Sequence, residues 1–106
     1  IEDVFVKKVR MEIELHLNDE NFSVEQLSKN IFMSTSQLQR KLTALTGNSP
    51  NQFIRVLRVQ KAKKLLKTSN ESINNIASGC GFTDASYFGK VFRQECGMTP
   101  QEYRNS

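Results

Sequence analysis

The chain has no tryptophan, one histidine and two cysteines among its 106 residues. Cys80, Cys96 and His16 form no C-x-x-C pair and no Cys/His cluster, so a zinc site lacks its ligands. Two cysteines sixteen residues apart, with no secretory leader, fit buried, reduced and unreactive thiols and a cytoplasmic location. No metal, cofactor or catalytic constellation is expected, and the chain does not read as an enzyme. No apolar run approaches the roughly 18 residues of a membrane span. The opening "IEDVFVKKVRMEIE" is charged throughout, unlike a signal peptide. It also lacks an initiator methionine, and a piece of a longer protein is expected.

Acidic residues are scarce beyond the first quarter of the chain. Residues 1–25 carry seven acids and three bases, whereas residues 26–106 carry four acids and twelve bases. Between Gly47 and Asn70 stand six bases and no acid: Arg55, Arg58, Lys61, Lys63, Lys64 and Lys67. Such asymmetry points to a polyanionic partner, most often nucleic acid, with a solvated helix face as the plainer alternative. A hydrophobic share of 38% and a charged share of 25% suit a folded domain, and the length allows one domain or two small lobes.

Proline occurs twice and glycine five times, mostly where helical patterns break. Residues 4–18 place Val4, Val9, Ile13 and Leu17 near one face of an amphipathic helix. Ser23 with Gln26, and Ser34 with Gln37, have the spacing of capping boxes. They open a short helix burying Val24, Leu27 and Ile31, then a second presenting Leu38, Leu42 and Leu45 inward. Gly47 suits the left-handed end of that helix. Pro50 opens a long helix to about Lys67, with Phe53, Ile54, Leu57, Ala62, Leu65 and Leu66 buried. Ser72 starts another short helix with Ile73, Ile76, Ala77 and Cys80 inward. Thr83 or Asp84 caps the next, which buries Phe88, Phe92 and Cys96. Gly97 closes it, and Pro100 starts a last turn that packs Tyr103.

The second half echoes the first. Ser23, Leu27, Ile31 and Met33 match Ser72, Ile76, Cys80 and Phe82 at an offset of 49. Leu38, Arg40, Leu42, Gly47, Pro50 and Phe53 match Phe88, Lys90, Phe92, Gly97, Pro100 and Tyr103 at an offset of 50, so one residue enters near Asp84. Two copies are too few for a solenoid. Each copy is a short capped helix, a tight turn and a longer helix, the grammar of a helix-turn-helix. The expected fold is all-α: two helix-turn-helix lobes, 21–49 and 70–106, in a homeodomain-like tandem. A linker helix at 50–68 joins them, a lead-in helix occupies 1–20, and one domain spans 1–106.

"LTGNSPNQFIRVLRVQKAKKLL" and "IASGCGFTDASYFGKVFRQECGMTPQEYR" are the most specific stretches of a match covering about residues 23–104. They resemble the DNA-binding domain of AraC-type transcription regulators. "MSTSQLQRKLTALTGNSPNQFIR" is most similar to versions at the output end of hybrid two-component sensors or response regulators. The resemblance implies sequence-specific binding of double-stranded DNA, with two recognition helices in successive major grooves about one turn apart, roughly 34 Å. It also implies RNA polymerase as a partner if the protein is an activator, no membrane contact, a monomeric fragment and a dimeric full-length protein.

Opposite the buried stripe of the first recognition helix stand Thr35, Ser36, Gln39, Arg40 and Thr43. Ser36, Gln39 and Arg40 are the base-reading candidates there. Arg40 can pair bidentately with guanine and Gln39 with adenine; otherwise Arg40 binds phosphate or is solvated. In the second helix the base-reading candidates are Ser86, Gly89 and Lys90. Gly89 departs from the Ser or Thr common in the family and has no side chain to donate, so this lobe is expected to read sequence more weakly. Ser34, Thr35, Thr43, Tyr87 and Arg93 are candidates for the DNA backbone. Two alternatives stand beside this reading. One is an enzyme fragment that transfers an alkyl group to a cysteine, which needs an activated thiolate. The other is a helical protein-interaction module with a basic surface.

Overall fold

The computed structural model describes residues 2–106. Among these residues seven helices follow in chain order: α1 (Val4–Leu15), α2 (Val24–Asn30), α3 (Thr35–Thr46), α4 (Pro50–Thr68), α5 (Ile73–Gly79), α6 (Ala85–Cys96) and α7 (Pro100–Asn105). No strand occurs among the described residues, so the chain is all-α as its periodicity predicts. The described residues form two compact units, 2–16 with 21–57 and 17–20 with 58–106. Helix α4 begins in the first unit and ends in the second.

Helix starts are set by side chains that accept from otherwise unpaired backbone N–H groups. Asp3, Ser23, Ser34, Ser72, Asp84 and Thr99 each do so. Ser34 and Gln37 form a reciprocal capping box, as do Thr99 and Glu102. Ser49 and Gln52 make the same exchange at the start of α4, at 2.9 and 3.3 Å. Both longer lobe helices, α3 and α6, end in left-handed glycines, Gly47 at φ 76° and Gly97 at φ 77°.

In the first unit α1 packs on α2 and α3. Its core comprises Val6, Val9, Ile13, Phe22, Leu27, Ile31, Leu38, Leu42, Phe53, Ile54 and Leu57. Four sequence expectations fail here. Val4 is 85% exposed, because the inward face of α1 is the one shared by Val6, Val9 and Ile13. Leu45 is 46% exposed; the inward line of α3 runs through 38, 42 and 46, with half-buried Thr46 donating to the Leu42 carbonyl at 2.7 Å. Helix α1 ends at Leu15, and Leu17 is buried in the second unit instead. Val24 is only partly buried.

The second unit's core joins Val59, Ala62, Leu66, Ile76, Ala77, Cys80, Phe82, Phe88, Val91 and Phe92. Leu65, Ile73 and Cys96, which the sequence placed inside, pack against it half-buried, and Tyr103 packs there as expected. Phe82, Phe88, Phe92 and Tyr103 form a run of tilted and edge-on rings at 5.0, 5.7 and 5.6 Å, geometry that aromatic quadrupoles favour.

The repeat persists into the turns, with one difference. In each lobe the second residue after the short helix has positive φ: Phe32 at 60° and Gly81 at 83°. Phe32 is 93% exposed, so its side chain meets no obstacle. A Cβ on Gly81 would lie 2.2 Å from the Leu17 carbonyl oxygen, because residues 17–20 close over this turn. Arg58 fastens the arrangement, donating to the Gly81 carbonyl at 2.6 Å and to the Asp19 carbonyl at 3.1 Å. Burial holds its guanidinium pKa below the ordinary value, with the charge of Asp19 opposing that shift. Gly81→Ala is expected to destabilise the chain by about 2–4 kcal/mol in urea denaturation, combining a left-handed side chain with a backbone clash. Gly89→Ala, where a Cβ meets nothing within 4 Å, should stabilise by about 1 kcal/mol.

Candidate nucleic-acid interface

Leu38 and Leu42 have no exposed surface, and that fixes the rotation of α3 about its axis. Thr35, Ser36, Gln39, Arg40 and Thr43 then lie exposed. Arg40 has no hydrogen bond or ion pair among the described residues, so its five donors are open to a ligand. It lines a hollow with Phe32, Met33, Gln37 and Lys41. Gln37 is spent on the capping box, and Lys41 sits over the Phe5 ring at 4.4 Å. Thr43 is partly engaged, its hydroxyl donating to the Asn48 carbonyl at 3.4 Å. Ser34 accepts from Gln37 N–H, leaving the first N–H groups of α3 pointing outward.

Phe88 and Phe92, also without exposed surface, do the same for α6. Ser86, Tyr87, Lys90 and Arg93 are exposed and Gly89 is half-exposed. Lys90 has no partner among the described residues. Arg93 is closer to engaged, since its charge helps hold the Glu102 carboxyl below the usual range, after the hydrogen bonds of Thr99. Tyr87 rests its ring on Phe82, centroids 6.1 Å apart, yet remains 48% exposed. Asp84 caps the helix, accepting from Tyr87 N–H at 2.7 Å, and sets a negative charge where α3 has the neutral Ser34. Each lobe therefore gathers its predicted residues on one exposed face.

The basic run in α4 behaves differently from its sequence promise. Arg58 binds the Gly81 and Asp19 carbonyls, and Lys61 the Gly79 carbonyl at 3.1 Å. Lys63 and Lys67 sit over the Tyr103 ring at 5.5 and 5.0 Å, and Lys67 also donates to the Ser106 carbonyl. Four of the six bases thus serve the second unit itself; Arg55 and Lys64 have no such partner among the described residues. Sequence reasoning missed Phe32 beside Arg40. Its signal was present: an apolar residue in a tight turn, matched by glycine in the other copy.

A helix-turn-helix domain family model matches residues 27–106. The chain belongs to the AraC-type helix-turn-helix family. The family member RhaS of Escherichia fergusonii, an HTH-type transcriptional activator, is 38% identical over 80% of this chain and 31% of its own length. Histidine kinase P4 of Formosa agariphila is 32% identical over 99% of the chain but 8% of its own length. The AraC-type chain therefore spans a third or less of these curated relatives. Among solved structures, the DNA-binding domain of AdpA in complex with a target DNA superimposes with TM-score 0.86 and 34% identity, covering 98% of this chain and 92% of that one.

Both thiols argue against cysteine chemistry. Burial pushes the Cys80 thiol up, opposed by Lys61 and Arg58, and pushes Cys96 up as well, opposed by Lys63. A raised folded pKa means the unfolded chain loses these protons first, so stability falls as pH climbs past the free-thiol value of about 8.5. At pH 8, an aromatic disulfide reagent should modify Cys80 only as fast as the chain unfolds, with Cys96 reacting earlier. A thiol faster than free cysteine would overturn this assignment.

Proposed function

We propose that this chain is the sequence-specific, double-stranded-DNA-binding module of a transcription regulator, acting without catalysis. One observation carries the reading. Each lobe turns an exposed polar face outward from a capped helix whose opposite side is wholly buried, and the face of α3 holds the unpartnered Arg40. The likeness to the AdpA domain solved with its target DNA supports it. Each of α3 and α6 enters a major groove. Ser36, Gln39 and Arg40 read base edges from α3, and Ser86 and Lys90 do so from α6, with Gly89 on the same base-reading face contributing no donor of its own. Ser34, Thr35, Thr43, Tyr87 and Arg93 position the phosphate backbone.

The two faces are unequal. Gly89 offers no side-chain donor, and Asp84 repels phosphate at the start of α6, so α3 supplies most of the discrimination. The likeness to a histidine kinase supports a place at the output end of a cytoplasmic two-component protein. On this reading residues 1–106 act as one domain with lobes 21–49 and 70–106 and linker 50–68. The fragment is monomeric at working concentrations, the full-length protein is dimeric, and RNA polymerase is its partner in activation.

Binding to a target duplex should fall with salt at a log–log slope of about −4 to −7, from roughly four to eight phosphates contacted. Salt-independent binding would refute the reading. Arg40→Ala should weaken binding to the target by about 1–3 kcal/mol while changing binding to random duplex far less. Equal loss on both, measured by fluorescence anisotropy, would reduce Arg40 to a phosphate contact.

A further inference from the structure

Helix α1 is apolar on two opposite sides. One side, Val6, Val9 and Ile13, is buried in the first unit. The other carries Val4, Met11 and Leu15, which are 85%, 52% and 74% exposed. With Lys8 these residues stand at spacings of four, three and four. At 100° per residue, positions 4, 8, 11 and 15 centre about 160° from the buried face. Spacings alternating between three and four make the seam of a two-stranded coiled coil, here with Val4 and Met11 at d and Lys8 and Leu15 at a. A single lysine at an a position disfavours larger bundles, because its ammonium must reach water along its own stem.

The charges flanking the stripe suit a parallel copy. In that arrangement the residue just before one a position faces the partner's residue five further on. Lys7 would thus face Glu12 of a second copy, an opposite pair. Glu12 accepts from Asn30 at 2.9 Å and approaches His16 at 3.5 Å, and both contacts use Oε1, which leaves Oε2 for the partner's lysine. The other flanking acid, Glu14, is already held by Arg10 at 2.6 Å, and Arg10 is bound in turn by Glu2 at 2.9 Å. The Arg10 clamp thus occupies Glu14, and the one like-charge pair on the seam is Lys8 with its own copy, whose ammonium groups must reach outward to water.

We propose that the outer stripe of α1 is a self-association surface that pairs in parallel with α1 of a second copy of this chain. Twelve residues span only about 18 Å, too short a helix for its one stripe to bury the roughly 1,200 Å² of a stable interface. The pairing is therefore weak in isolation and gains force when two copies are already held together. It is independent of the DNA-binding reading.

Cross-linking tests it. In the parallel pair the two Met11 Cα atoms lie about 6 Å apart, within disulfide reach. In a Cys96→Ser background, which leaves only the buried Cys80, oxidised Met11→Cys should dimerise at least about tenfold faster than Glu25→Cys, an exposed control on α2. Adding Lys7→Glu, which sets like charges across the seam, should slow it about two- to threefold. Equal rates for Met11→Cys and the control would overturn the proposal. So would preferential mixed cross-linking of Val4→Cys with Leu15→Cys, which marks an antiparallel pair. Partition of the uncross-linked Met11→Cys chain onto anionic lipid vesicles would assign the stripe to a membrane surface and overturn it as well.

Discussion

Four side chains without exposed surface decide what this molecule offers its surroundings: Leu38 and Leu42 in α3, Phe88 and Phe92 in α6. Each contributes about 1.5–3 kcal/mol by burial. Turning either helix by one residue, about 100°, would carry both of its anchors toward water and cost several kcal/mol. The rotation of each helix is therefore locked, and with it the identity of the outward residues. Arg40, Gln39, Lys90 and Ser86 face solvent because the opposite positions cannot. The left-handed glycines that stop these helices, and the capped starts of α3 and α6, fix their lengths at twelve residues each.

The two lobes share this frame but spend their charge differently. Residues 17–20 close over the second lobe's turn, and Arg58 and Lys61 are drawn inward to satisfy backbone carbonyls there. One nitrogen of Arg58, Nε, is buried without a partner, so the clamp is held at some cost in solvation. The first lobe has no such cover over its turn. Phe32 accepts a left-handed backbone with its ring in solvent, next to Arg40. The same turn grammar thus yields a closed, internally satisfied lobe and an open one with free donors.

Much of this was legible in the sequence because it is written in local rules. The offset of 49 becoming 50 at Asp84 shows in the structure as Thr83 inserted ahead of the cap. The Ser34–Gln37 capping box, the terminal glycines and the helix-opening prolines stand where their chemistry predicts, whereas Ser23 caps α2 without a reciprocal bond because Gln26 donates to Asn30 instead. What escaped was set by tertiary context. Val4 and Leu45 look inward by spacing, but the inward faces are chosen by neighbouring helices. The basic run of α4 reads as a polyanion surface, yet Arg58, Lys61, Lys63 and Lys67 find carbonyls and an aromatic ring that are distant in sequence. A charge count cannot tell a side chain that awaits a phosphate from one already holding a carbonyl. The second apolar stripe of α1 was missed for a related reason: spacing alone merged two opposed faces into one.

The account turns on unequal reading by two similar helices. Selection of bound sites from random double-stranded DNA by the purified chain tests that most directly. It should return one asymmetric motif, with strong base preferences over the positions met by α3 and shallow ones over those met by α6. A motif of equal strength in both halves would contradict the account, as would recovery of no motif at all.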